Sequence, residues 1–126
     1  MKKDYVLKRC NKCGALVEIL VDCTCENCGI RCCGEPMKTL VPNSVDCDEE
    51  KHIPTYELVG EFIVASVPHV MEENHYITTL LLEGDNVCLS FHFGPNEKPQ
   101  ATFPHVPGST LYAYCNQHGL WKKDVE

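Results

Sequence analysis

From residue 53 onward, apolar and polar positions alternate in short runs broken by turn formers. Thr55–Val59, Phe62–Val67, Tyr76–Glu83, Val87–Phe93, Ala101–Phe103 and Thr110–Tyr114 are short and rich in β-branched and aromatic side chains, a pattern of strands rather than helices. In Val87–Phe93 the apolar residues Val87, Leu89, Phe91 and Phe93 alternate with Cys88, Ser90 and His92, so the first set is expected to face a core and the second solvent. Gly60-Glu61 and Gly84-Asp85-Asn86 have the composition of hairpin connections. No segment offers a dozen residues of helical periodicity with caps. The expected element is an antiparallel β-sandwich.

About six or seven short strands in this length suggest the immunoglobulin-like type of sandwich, although the Cys…Trp…Cys spacing of true immunoglobulin domains is missing. The first forty residues read differently. They hold one apolar stretch, Leu16–Val21, and few other large apolar side chains. A segment that small cannot bury enough surface to fold alone and needs a metal or a cross-link. The chain is therefore expected to carry two modules, a metal-stapled one over residues 1–40 and the sandwich over 41–126.

Ten of the 126 residues are cysteine, and seven of them lie between Cys10 and Cys33. The start, Met1-Lys2-Lys3-Asp4-Tyr5, leads into no apolar run, so no export signal is expected and the location is read as cytoplasmic. There, thiols stay reduced, and clustered cysteines point to metal or redox chemistry rather than a disulfide framework. Residues 1–48 carry seven bases and seven acids, whereas residues 49–126 carry four bases and eleven acids. The net charge of −7 argues against a nucleic-acid binder that relies on phosphate contacts. No apolar run is long enough to cross a bilayer.

Cys10-Asn11-Lys12-Cys13-Gly14 has the spacing of a metal knuckle. Two residues between thiolates let the chain turn once around an ion, and the glycine permits the positive φ such turns need. The second pair is either Cys32-Cys33 or Cys25-Glu26-Asn27-Cys28. Four thiolates in a tetrahedron suit zinc or iron. In the second module, His52, His69, His75 and His118 sit beside turn signals rather than within strands, where a rigid β scaffold presents ligands. Cys115 and His118 are three apart in Tyr114-Cys115-Asn116-Gln117-His118-Gly119, close enough to chelate one ion from a turn. His92 shares the solvent register with Cys88 and Ser90, and His105 lies in a proline-rich loop; neither is expected to be a ligand.

Cys10-x-x-Cys13, Cys32-Cys33-Gly34-Glu35-Pro36-Met37, Glu50-Lys51-His52-Ile53-Pro54, Ser66–His75 and Tyr114–Trp121 occur in this order along nearly the whole chain. Together they resemble desulfoferrodoxin, the two-iron superoxide reductase family. The resemblance implies an all-β protein with a small desulforedoxin-like N-terminal domain and a C-terminal immunoglobulin-like sandwich. It implies two iron ions per chain, one held by Cys10, Cys13, Cys32 and Cys33, the other by His52, His69, His75, His118 and Cys115. The stretch between Cys13 and Cys32 is longer than the family pattern and adds Cys23, Cys25 and Cys28. These three, with Cys47 and Cys88, receive no role.

Four imidazoles and one thiolate leave a coordination position open, which separates a catalytic metal site from a structural one. The thiolate pushes electron density along its axis, as haem thiolates do. The activity implied is oxidative-stress detoxification: one-electron reduction of superoxide to hydrogen peroxide, without dioxygen. Superoxide is an anion meeting a module of net charge −7, so a local cation is needed, and Lys51, adjacent to His52, is the candidate. By resemblance, Glu50 supplies a carboxylate to the oxidised iron after product leaves. The family further implies rubredoxin or a similar one-electron donor and a homodimer. One rival reading is a non-catalytic rubredoxin-like electron carrier or zinc-stapled binding module, which metal content tells from the enzyme; a second is an extracellular disulfide-rich domain, which counting free thiols would expose.

Overall fold

A computed structural model describes residues 6–21, 23 and 29–126. The chain divides into two compact units, residues 4–41 and the stretch from Pro42 to Glu126. No helix in the described residues is long and apolar enough to cross a membrane.

In the first unit, β1 (Val6–Arg9), β2 (Leu16–Ile19) and β5 (Lys38–Thr39) form an antiparallel sheet in the order β2-β1-β5. Arg9 pairs with Leu16 and with Lys38, which sets the end of β1 beside the first cysteine knuckle. Among the described residues of this unit, Leu7, Cys10, Ile19 and Met37 are the buried apolar ones, a small core as the composition predicts. The second element is a two-stranded ribbon, β3 (Arg31–Cys32) with β4 (Glu35–Pro36), in which Cys32 pairs with Glu35. Its two-residue loop, Cys33-Gly34, has φ of 54° and 78°. Two successive positive φ values define the tight hairpin turn whose twist suits flanking strands.

The second unit is a seven-stranded antiparallel sandwich. One sheet has the order β10-β7-β6, built from β6 (Thr55–Val59), β7 (Phe62–Ser66) and β10 (Gln100–Pro104). The other has the order β12-β11-β8-β9, from β8 (Ile77–Glu83), β9 (Cys88–His92), β11 (Thr110–Cys115) and β12 (Gly119–Asp124). Both expected hairpins are present, with Val59 opposite Phe62 and Glu83 opposite Cys88. Ile63, Ala65, Ala101 and Phe103 of the first sheet pack with Ile77, Leu80, Leu82, Leu111 and Ala113 of the second. This is the all-β, two-sheet architecture expected.

Two details depart from the pattern reading. Phe91, expected on the core face of β9, remains 43% exposed and meets Phe103 edge to face, with centroids 5.2 Å apart. β9 is an edge strand, and its inward side chains cover the rim rather than the centre of the core. β12 is absent from the pattern reading, because Gly119–Asp124 carries only Leu120 and Trp121 before two lysines; its pairing with β11 makes it a strand.

Candidate metal centres

The four-cysteine cluster forms where two turns meet. In the first, Gly14 N–H donates to Cys10 O at 2.9 Å, Cys10 N–H donates to Ala15 O at 2.9 Å, and Gly14 has φ of 79°. The second is the Cys33-Gly34 turn. The sulfurs of Cys10, Cys13, Cys32 and Cys33 gather within 4.8 Å of one another. Cys13 Sγ lies 3.6 Å from Cys32 Sγ, and Cys32 Sγ lies 3.9 Å from Cys33 Sγ. A disulfide needs about 2.05 Å. Four thiolates at about 2.3 Å around a tetrahedral ion stand about 3.8 Å apart, so these spacings fit a metal and no bridge. Cys25 and Cys28, the other candidate pair, lie outside the described residues. Cys23 is exposed.

The four thiols are unequal. Backbone N–H groups of Cys13 and Lys12 pull the Cys10 thiol down to about 6. Cys32 is pushed up to about 12, first by its contacts with the Cys13 and Cys10 thiols. Cys33 is raised as well, mainly through Cys13. Thiolates crowded at van der Waals distance repel one another, and a cation among them relieves that repulsion, because only the thiolate is a ligand.

The second cluster brings together His52, His69, His75, Cys115 and His118, with one donor atom of each within 4.8 Å of the others. They come from four places. His52 closes a short 3-10 turn, Glu49–Lys51, capped by Asp48, whose side chain accepts from Glu50 N–H at 3.1 Å. His69 follows β7, where its N–H donates to Val67 O at 2.9 Å. His75 closes a tight turn with Glu72, the two residues exchanging hydrogen bonds of 3.0 and 3.2 Å. Cys115 ends β11 and His118 precedes β12.

The imidazoles form a closed ring. Centroids of successive neighbours lie 4.8 Å (His52–His69), 4.7 Å (His69–His75), 4.9 Å (His75–His118) and 4.9 Å (His118–His52) apart, all edge to face. His118 Nδ1 lies 3.1 Å from His52 Nε2 and 3.2 Å from His75 Nε2. Cys115 Sγ lies 3.4 Å from His69 Nε2 and 3.9 Å from His118 Nδ1. Nitrogens at about 2.1 Å from one ion and at right angles stand about 3.0 Å apart. His118 uses Nδ1 because it shares a turn with Cys115, and the nitrogen nearer the backbone is the one within reach.

The tautomers follow from the partners. His52 Nδ1 faces Asp48 O at 2.7 Å and His69 Nδ1 faces Val70 O at 2.5 Å. A carbonyl only accepts, so both Nδ1 atoms carry hydrogen and both Nε2 lone pairs point inward. Converging lone pairs with a thiol among them repel unless a cation lies between them. The residues fit a bound metal, and carbonyl partners of this kind orient metal-ligating histidines. Burial holds His69 and His118 below the usual imidazole range and raises Cys115, with the Cys47 thiol adding to the rise; backbone N–H groups of Gln117 and His118 oppose it. The His118 N–H donates to Cys115 Sγ at 3.3 Å.

Cys115 is fully buried and His52 is 3% exposed, whereas His69, His75 and His118 are half-buried. Small molecules therefore reach the ring from its histidine side. Glu50 and Lys51 are exposed on the turn that leads into His52, and Glu50 is not among the clustered donors. His92 is exposed, 3.4 Å from Thr79 Oγ1, and His105 Nε2 donates to Glu126 O at 2.6 Å; both stand apart from the ring. Cys47 is half-buried and Cys88 exposed. Three supporting residues escape sequence reasoning. Trp121 stacks on His52, with centroids 5.0 Å apart at 25°, and donates Nε1–H to His118 O at 3.1 Å. Asn116 and Gln117 tie the Cys115–His118 turn to Asn74. Their one signal was position between two ligands.

A model of the Desulfoferrodoxin family matches residues 44–124. Desulfoferrodoxin of Syntrophotalea carbinolica is 39% identical over 98% of this chain and 99% of its own length. Among solved structures, the superoxide reductase of Treponema pallidum superposes with a TM-score of 0.74 over 97% of this chain and 100% of its own; at 23% identity it supports the fold alone. The superoxide reductase (1Fe-SOR) of Giardia intestinalis, 32% identical, covers 61% of this chain and 98% of its own with a TM-score of 0.54.

Proposed function

Because the chain belongs to the desulfoferrodoxin family, we propose that residues 42–126 reduce superoxide to hydrogen peroxide at an iron ion held by His52, His69, His75, His118 and Cys115. The observation that carries this reading is the closed imidazole ring with a buried thiol against it, donor atoms spaced for one ion. Iron bound there supplies the single electron that, with two protons, converts superoxide to hydrogen peroxide. Names of similar proteins support the same activity.

The chain's own residues have separate tasks. Asp48 O and Val70 O hold His52 and His69 in the tautomer that presents Nε2. The His118 N–H at Cys115 Sγ tempers how strongly the thiolate donates. Lys51 draws the anion toward a strongly acidic unit, a local effect that salt weakens. Glu50 supplies a carboxylate, a hard ligand suited to oxidised iron. The four-cysteine site takes a second iron; four thiolates fill a tetrahedral ion, so substrate has no place there. Turnover draws electrons from an external carrier such as rubredoxin, and we propose a cytoplasmic homodimer.

The test is metal analysis with a stoichiometric assay. The expected result is two irons per chain, and one hydrogen peroxide per superoxide with no dioxygen while reductant lasts. A single zinc, or dioxygen released alongside half the peroxide, would refute the proposal.

A further inference from the structure

Resting on the reading that the five residues hold one ion, we infer that Asn116 is a positioning residue which makes His75 part of the same rigid body as Cys115 and His118. The ladder between β11 and β8 slips register between Tyr114, which pairs with Thr79, and Cys115, which pairs with Ile77. A bulge re-aims a strand end but interrupts its pairing. Past it, Asn116 N–H donates to Tyr76 O at 3.2 Å. The return bond comes from the side chain: Tyr76 N–H donates to Asn116 Oδ1 at 3.0 Å. Its other end, Nδ2, donates to Asn74 O at 3.2 Å, and that carbonyl also accepts from Gln117 Nε2 at 2.5 Å.

Asn116 thus grips the residues on either side of His75. The side-chain amide extends the sheet ladder past the point where the backbone leaves it. His75 Nε2 is thereby held 3.2 Å from His118 Nδ1 although the two are 43 residues apart. The chemistry requires asparagine, with an acceptor for Tyr76 N–H and a donor for Asn74 O on one short stem. Aspartate keeps the acceptor, loses the donor and sets a charge against the Asn74 carbonyl. Alanine loses both bonds. Glutamine at 116 is one methylene too long.

The test titrates the full chain with Co2+ against a chelator, the tetrahedral thiolate bands of the four-cysteine site serving as an internal reference. Asn116→Ala is expected to weaken the five-ligand site about 10- to 100-fold, the range for lost outer partners of metal ligands, and to shift its ligand-field band. Asn116→Asp should fall between alanine and the parent. Gln117→Ala, which removes the other bond to Asn74 O but leaves both Asn116 side-chain bonds, should weaken the site less than Asn116→Ala does. An Asn116→Ala chain with unchanged affinity and band overturns the proposal, as does a loss shared equally by the four-cysteine site. If the alanine variant does not fold, an aspartate variant with the parent band and affinity overturns it instead. A parent chain whose histidines bind no ion overturns the functional reading together with this one; normal binding in parent and variant alike removes Asn116 alone.

Discussion

Trp121 braces two neighbours of the histidine ring at once, and replacing it separates packing from ligand support. It is 0% exposed and faces inward from β12 opposite Ala113. Trp121→Phe keeps an aromatic face for His52 but removes the donor to His118 O, worth about 1 kcal/mol net. It also removes the second ring, and the void left costs about 1–2 kcal/mol. The expected loss of stability in the metal-free chain is therefore about 2–3 kcal/mol, against about 3–5 kcal/mol for Trp121→Ala. Urea unfolding followed by circular dichroism measures it, since the variants lack the chain's single tryptophan. Because the indole orients His52 by stacking and His118 through its carbonyl, Trp121→Phe should also weaken metal binding about 10-fold, close to 1.4 kcal/mol. Affinity within about threefold of the parent would show that the indole only fills space. A Trp121→Ala cost below about 1 kcal/mol would refute the packing argument as well.

Other outcomes are equally direct. Lys51→Ala should slow superoxide capture and flatten its dependence on ionic strength in pulse radiolysis; an unchanged bimolecular rate would remove Lys51 from the mechanism. Glu50→Ala should leave that rate near the parent value while altering the visible spectrum of the oxidised protein. In the metal-free chain, burial holds His69 and His118 below their ordinary 6.5. The unfolded chain then takes up protons first as pH falls, so stability is complete above about pH 6.5 and declines below it; urea midpoints from pH 8 to 5 test this, and a midpoint that rises on acidification contradicts it. With Cys10 lowered to about 6, metal uptake by the four-cysteine site at pH 7 should release fewer than four protons per ion, measurable by titration calorimetry in buffers of different ionisation enthalpy.

The period-2 runs of the second unit were legible because a strand buried on one face must alternate, whatever its neighbours. Thr55–Val59 became β6 without change, and the Gly84-Asp85-Asn86 signal marked a real hairpin. β12 was not legible. Its identity as a strand lies in its pairing with β11 rather than in its own composition, since Lys122 and Lys123 lie on the outermost strand of the sheet. The spacing of Cys10 and Cys13 exposed a knuckle, yet which later pair completes it depended on the Cys33-Gly34 turn and its positive φ values. The roles of Asn116 and Trp121 were not legible beyond their nearness to two ligands, because a hydrogen bond to residue 74 or a stack on residue 52 has no counterpart in local pattern.

What the amino acids determined unaided was the menu: short alternating strands, thiols in metal spacing, and four histidines beside turns. Each is a local property, set by backbone sterics, side-chain polarity and distances of a few residues. The tertiary structure alone decided that four of six histidines close a ring, that three present Nε2 and one Nδ1, and that the buried side belongs to Cys115. Donor atoms separated by up to 66 residues come within 3.1 Å only after the register of the sheets and the bulge at Cys115 have aimed each turn. A coordination site is a relation among distant positions, and no run of neighbouring residues contains it.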